Sequence, residues 1–469
     1  MARVVIVGGG LVGMCTGLLL QRDGHEVTVL ERDPAPPPTD PRDAWADWER
    51  RGINQFRLPH YFQPKFRQDL DEHLPDVSQA MRDAGALPLH MVESIPDEMT
   101  GGKRAGDDDL VALTGRRPVV EAAVANAVLA AGLDVRRGVA VAGLLAEPGP
   151  GGVPHVTGVR TEDGTELPAD LVIDVSGRRS PCLSWLEAIG AAAPDDEVDD
   201  LGFAYYGRHL RSADGSTPPA FGSPLQHYES VSTLTLPADN GTWCVALVTA
   251  GNDAPLRSIR DLDTWNRVFA SYPMVAHWLD GESIEDHIVS LSKIEDRHRS
   301  LMVGDEPVAT GLLLVGDAWA CTNPSVGRGA SIGLMHGLAL RDTLRSSTID
   351  DPAGLAKAFH AATLATVEPW YRATVDMDRQ RMAEVQAAIA GTEAPTDDSY
   401  ELTMAMLYSI PRDPDLMRVG MRFMALLSAP DQELADPAIV ARIREVGSGW
   451  RDDPIPGPSR AELLALLDA

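Results

Sequence analysis

Two rhythms of apolar residues divide the chain. Unbroken aliphatic runs occur at Val4-Val5-Ile6-Val7, Leu171-Val172-Ile173 and Leu312-Leu313-Leu314-Val315, as in strands buried on both faces of a parallel sheet. From residue 200 to 300 apolar and polar side chains alternate instead, over Gly202–Leu210, Tyr228–Leu236, Thr242–Ala250 and Asp286–Leu291. That period of two predicts an antiparallel sheet with two unlike faces. Tyr206 and Arg208 share one face of its first strand, Tyr205 and His209 the other. Shorter strands are expected at Asp134–Gly138, Ala140–Leu145 and Val153–Arg160, the last turning through Glu162-Asp163-Gly164. Helical spacing covers Gln63–Gly85, Arg117–Gly132, the segment up to Leu344, Ala353–Gly391, Glu401–Ser428 and Pro437–Val446, and Ser459 with Glu462 forms a capping box for a last helix.

The first apolar run leads straight into Gly8-Gly9-Gly10-Leu11-Val12-Gly13, then an apolar helix ending before Gly24, then a second strand, Glu26 to Glu31. This is the dinucleotide fingerprint in its strand–turn–helix–strand context. Gly8 serves the tight turn, Gly10 the approach of a pyrophosphate, and Gly13 the packing of helix on strand. The anion sits on free amides at the start of the helix. Glu31, followed by Arg32, lies roughly 20 residues into the unit, where an acid accepts hydrogen bonds from an adenosine ribose and disfavours a 2′-phosphate. FAD or NAD is therefore expected at this site rather than NADP. Gly316-Asp317-Ala318 ends a later buried run, and Pro324 with Gly327-Arg328-Gly329-Ala330 opens another helix whose amides can stabilise negative charge.

Composition narrows the partners. The 469 residues carry a formal charge of −28 and are 44% hydrophobic, enough for a sizeable core in two or three domains and unsuited to nucleic acid, which requires clustered basic side chains. No apolar run reaches the roughly 18 residues that span a bilayer, and the first strand leaves no room for a leader, so a cytoplasmic protein is expected. Cys15, Cys182, Cys244 and Cys321 have neither a CxxC pair nor zinc spacing; free buried thiols and no metal are expected.

Three stretches in this order, the fingerprint with Glu31, Asp174 to Ser180, and Gly316-Asp317-Ala318 with Pro324 and Gly327-Arg328-Gly329, resemble the glutathione-reductase-like FAD fold of single-component flavoprotein monooxygenases. More narrowly, Arg51-Gly52 with Gln55 and His60, Val172 to Ser180 before Trp185-Leu186, and Asn323-Pro324 are similar to squalene-epoxidase-like and polyether-epoxidase-like enzymes. The resemblance implies an α/β chain, α+β overall: a discontinuous Rossmann-like FAD-binding domain (1–85, 110–185, 296–345), a substrate-binding antiparallel-sheet domain (86–109, 186–295), and a C-terminal helical region (346–469). It further implies that Gly8, Gly10 and Gly13 hold the pyrophosphate and Glu31 the ribose, with Leu11, Val12 and Arg32 also cofactor-binding. Arg51 and Arg117 would contact FAD, Asp317 the ribityl chain, and Pro324, Gly327 and Gly329 the isoalloxazine, with Gly316, Arg328 and Ala330 also counted as cofactor-binding. Arg328 departs from the uncharged residue of many relatives, adding charge or narrowing the pocket. Tyr206, Arg208 and Trp319 are the candidate substrate contacts, and no catalytic side chain is assigned. The implied reaction uses NAD(P)H, O2 and a C4a-hydroperoxyflavin to hydroxylate or epoxidise a small organic molecule; a homodimer is compatible. A reductase of the geranylgeranyl-reductase type is the alternative, with a flavin halogenase behind it. The Tyr-x-Trp-x-Phe-Pro and Trp-x-Trp-x-Ile-Pro signatures of those groups are absent.

Overall fold

A computed structural model describes residues 1–53, 55–199 and 202–467, with backbone alone at 430 and 431. Its first half is built from β1 (Arg3–Val7), α1 (Leu11–Arg22), β2 (Glu26–Glu31), α2 (Arg117–Ala130), β3 (Asp134–Arg137) and β4 (Leu171–Asp174). An antiparallel sheet follows, with β5 (Phe203–Arg211), β6 (Val231–Pro237) and β7 (Thr242–Ala250) at its centre, covered by α3 (Leu262–Ala270). The chain then returns through β8 (Asp296–Ser300) and β9 (Leu312–Leu314) to α4 (Gly329–Ser346). It ends in helices that include α5 (Pro352–Thr366), α6 (Glu368–Ala390) and α7 (Pro414–Met424).

The apolar runs become the centre of a five-stranded parallel sheet in the order β9-β4-β1-β2-β3. Alternate side chains supply two cores. Ile6, Val29, Ile173 and Leu313 pack with Leu18 of α1, Val124 of α2 and Leu334 of α4. Val5, Leu30, Val172 and Leu314 face the other way, against Val156 and Val159 of an antiparallel meander and Trp370 and Tyr371 of α6. Each sheet face is thus covered, as parallel strands require.

The strands expected between 200 and 300 are present to within a few residues, except that the last shrinks to Val289–Leu291. Two expected long helices are broken. Ala353–Gly391 splits at Val367, just before Glu368-Pro369, and Glu401–Ser428 divides at Pro411 and Pro414 into Asp398–Ser409 and α7. Proline lacks the amide that a helix interior requires. All four cysteines are buried and free, and among the described residues no helix is long and apolar enough to cross a membrane.

One crossing positions the rest. A Cβ on Gly333 would lie 2.5 Å from Val12 Cγ2, and one on Gly337 2.5 Å from Thr16 Oγ1, so α4 approaches α1 where only glycine fits. A Gly333→Val substitution is expected to lower unfolding stability by about 1–3 kcal/mol, because Val12 is β-branched and has little rotamer freedom with which to yield. Chemical denaturation of the apoprotein reads this directly.

Candidate cofactor and substrate site

The carboxyl ends of β1, β2, β4 and β9 meet at one edge of the parallel sheet, where ligands of open α/β sheets lie. Gly8 has φ of +114°, and a Cβ there would sit 2.5 Å from the Val175 carbonyl; one on Gly13 would sit 2.0 Å from the Gly8 carbonyl. Both glycines are required by the backbone. Gly10 differs, since a Cβ there would meet nothing within 4 Å. That open space faces the start of α1, which has no side-chain cap. Leu11 is buried and Val12 half-buried, its methyls packed against Gly316 and Gly333.

Glu31 ends β2 nearly buried, with Oε2 accepting from the Gly9 amide at 2.9 Å and Oε1 from the Asp33 amide at 2.8 Å. Arg50 completes its surroundings: Nη2 lies 2.5 Å from Glu31 Oε2, Nε 3.1 Å from Asp33, and Nη1 pairs with Glu121. Arg117 holds the other oxygen of Glu121 at 2.6 Å. Ionised Glu31 has about four acceptor positions, of which these donors occupy three, leaving capacity for a ribose hydroxyl. Sequence reasoning singled out Arg51, which is exposed, and missed Arg50. Two acids at a strand end require a cation, but nothing local distinguishes neighbouring arginines. Arg32 is exposed, with its guanidinium beside Gly52.

On the far side of the edge, Gly316 adopts φ of +62° and its amide donates to His336 Nδ1 at 3.3 Å. The other ring nitrogen of His336 lies 3.0 Å from Thr363 Oγ1, and Phe359 stacks on the ring. Because Nδ1 must accept, the imidazole is neutral, and burial pushes its pKa down to about 3. This clamp presents Asp317, whose carboxylate has no hydrogen-bond partner among the described residues. Burial raises its pKa, while Arg117 and Arg178 oppose that shift.

Beyond Asp317 the chain runs through Pro324 and Gly327, the latter at φ of +64°, to Gly329 and Ala330 at the start of α4, which has no side-chain cap. The first turns of α1 and α4 are thus brought together, with Val12 against Gly333 and a Cβ on Gly329 3.9 Å from Asp317 Oδ1, and uncapped helix starts suit an anionic or electron-rich ligand. Arg328 turns away from these helix starts. Its guanidinium is buried toward the C-terminal helices, with Nη1 3.0 Å from Thr374 Oγ1 and the cation 4.8 Å from the Phe423 ring centroid. The expectation that it charges or narrows the pocket is corrected accordingly. Burial lowers its pKa to about 10.

The substrate candidates are corrected too. Tyr206 and Arg208 lie on the face of β5 that α3 covers, where Arg208 Nη1 donates to Asn266 at 2.8 Å and its cation sits over Trp265. Trp319 is packed among His298, His336 and Tyr371 in the core. The opposite face of the sheet turns toward the cleft. Gly207 abuts Leu58, Tyr61 clusters with Leu225, Leu234 and Ala246, and Tyr61 lines the loop at Gly327. His60 and His227 retain accessible surface, yet burial drives both imidazoles down to about 3. A separate cavity of about 990 Å³, lined by Arg3, His25 and Asp170, opens at the opposite edge of the sheet, away from these groups.

Gly10→Val is expected to leave apoprotein stability within about 0.5 kcal/mol, since no atom is met, while weakening FAD binding at least about 100-fold, near 2.8 kcal/mol; denaturation and flavin titration separate the two effects. His336 predicts a pH dependence. The unfolded chain binds its proton below about 6.5 and the folded one only near 3, so stability declines by about 1.4 kcal/mol for each unit that the pH falls through that interval. Urea unfolding of His336→Gln should show a pH slope reduced by close to one proton.

Comparison with known proteins agrees with this geometry. Residues 3–44 match the family described as FAD dependent oxidoreductase. Protein Rv3254 of Mycobacterium tuberculosis is 24% identical over 78% of each chain. Among solved structures, PqsL of Pseudomonas aeruginosa, described as a probable FAD-dependent monooxygenase, superposes with a TM-score of 0.60 at 15% identity over 82% of this chain and 96% of its own. The Diels-Alderase PyrE3 does so with 0.58 at 16% identity, over 91% and 80%. The chain therefore shares its fold with PqsL and PyrE3, and its opening strand–helix–strand matches the FAD dependent oxidoreductase family.

Proposed function

We propose that the protein is an FAD-dependent monooxygenase acting on a small organic substrate, with NAD(P)H as electron donor and O2 as co-substrate. The observation that carries this reading is the convergence of two uncapped helix termini and the unpartnered Asp317 on one cleft, whose other wall is the inner face of the antiparallel sheet. The open space at Gly10 admits a pyrophosphate, Glu31 has acceptor capacity for a ribose, and Asp317 offers a carboxylate to a polyol chain. When bound there, FAD would supply hydride acceptance and oxygen activation.

The chain's own part is electrostatic and steric. The start of α4 stabilises negative charge on a ligand over Gly327 and Gly329, its own amides being free of side-chain caps. Leu225, Leu234 and Tyr61 keep water from the inner face of the sheet. His60 and His227, both held neutral, present hydrogen-bonding groups without charge. A mostly apolar molecule carrying one or two polar groups suits such a wall. The described nature of PqsL supports oxygenation over the reductase alternative, and PyrE3 sets the control, since the same fold is described there as a Diels-Alderase.

The test is stopped-flow spectroscopy on the FAD-loaded protein. Reduction by NADH or NADPH without oxygen, then rapid mixing with O2, is expected to give a transient flavin absorbance before the oxidised spectrum returns, with O2 consumed. A flavin that binds but is never reduced by either nicotinamide would assign the fold to non-redox work. Protein that takes up no FAD would overturn the proposal altogether.

A further inference from the structure

The C-terminal helix α6 carries Thr374, Asp378, Arg381, Met382 and Val385 at helical spacing on one face. The first part of that face grips the segment leading into α4. Thr374 Oγ1 accepts from Arg328 at 3.0 Å, and Asp378 Oδ1 accepts from Asn323 Nδ2 at 2.9 Å and from Ser325 Oγ at 3.4 Å. The second part grips the antiparallel sheet. Arg381 donates to Ser232 Oγ at 3.2 Å and to the Tyr228 carbonyl at 2.7 Å, while Met382 and Val385 pack with Tyr205 and Val248.

Asn323 joins the two. Its side-chain oxygen accepts from the Tyr205 hydroxyl on the inner sheet face, and its backbone N–H donates to Asp296 Oδ1 at 2.7 Å. Tyr205, Asn323, Asp378 and Asp296 are each 4% exposed or less, so the junction is fully withdrawn from water. Burying that many polar groups is costly unless their geometry is held, and apolar packing would have joined the elements more cheaply.

We propose that Asp378 is a positioning residue: through Asn323 and Ser325 it fixes the Pro324–Gly327 segment, and through Asn323 and Tyr205 it sets the distance between that segment and the substrate wall. This rests on the function proposed above for its consequence, though not for its geometry. The helical C-terminus is accordingly part of the site's frame. Burial and the neighbouring Asp296 push the Asp378 carboxyl well above its ordinary range, with Arg328 opposing them. Asparagine keeps the Oδ1 acceptor that Asn323 and Ser325 use, whereas alanine removes it.

The full-length chain carrying Asp378→Ala, Asp378→Asn or Tyr205→Phe decides the matter through two readouts. In the apoprotein, hydrogen exchange of peptides covering 320–330 should rise about tenfold in Asp378→Ala, reflecting local opening, with peptides covering 3–31 unchanged and Asp378→Asn restoring protection. In the FAD-loaded protein, sulfite, an anionic probe of the field at the start of α4, should bind about tenfold more weakly to Asp378→Ala and close to normally to Asp378→Asn. Tyr205→Phe should shift both readouts in the same direction, and it supplies the test if Asp378→Ala is too unstable to purify. Exchange that rises uniformly over the chain, does not rise, or is not restored by asparagine would overturn the proposal. Failure to take up FAD would overturn the proposed function instead, while the exchange result would still decide the role of Asp378.

Discussion

The approach of α4 to α1 is the constraint on which the rest depends. Gly333 and Gly337 allow two backbones to cross where any side chain would strike Val12 or Thr16. Close crossing brings two helix termini, some 300 residues apart in sequence, to one edge of the parallel sheet. Partial positive charge from both termini then lies along that edge. Neither terminus has a side-chain cap, so their donors remain available to a ligand.

Charge is managed around that cleft by pairing and withdrawal. Arg50 neutralises Glu31, Asp33 and Glu121 jointly with Arg117, which permits a cluster of ions below the surface that desolvation would otherwise forbid. Arg328 is turned among Trp370, Phe423 and Thr374. His336 is held neutral by the amide it must accept from. What remains is Asp317, with Arg117 and Arg178 acting on it, and a largely apolar wall, a division of labour between binding a polar cofactor and enclosing an organic substrate.

Much of the nucleotide half was legible because its signals are local. A tight turn needs glycine at the residue where φ is positive, and a strand buried on both faces must be apolar throughout. Gly8, Gly13 and the runs at Val4, Leu171 and Leu312 obey such rules within a few residues of chain. The breaks at Pro369, Pro411 and Pro414 were local too, but apolar spacing on either side masked them. Arg50 was not legible, since its partners lie 17, 19 and 71 residues away and Arg51 looks the same in sequence.

By itself the sequence determined the order of strands and helices, the fingerprint and its acid, the two unlike faces of the antiparallel sheet, and the helical character of the C-terminus. Only tertiary structure decided which face of that sheet meets the cleft. Alternation separates Tyr205 and His209 from Tyr206 and Arg208 symmetrically, and the symmetry is broken by what packs on each side. Helix α3 covers one set; Leu58, Tyr61 and α6 meet the other. The same holds for Asp378, whose role exists only where Asn323 and Tyr205 arrive from distant parts of the chain. Periodicity is a property of neighbours in sequence, whereas a site is made by neighbours in space.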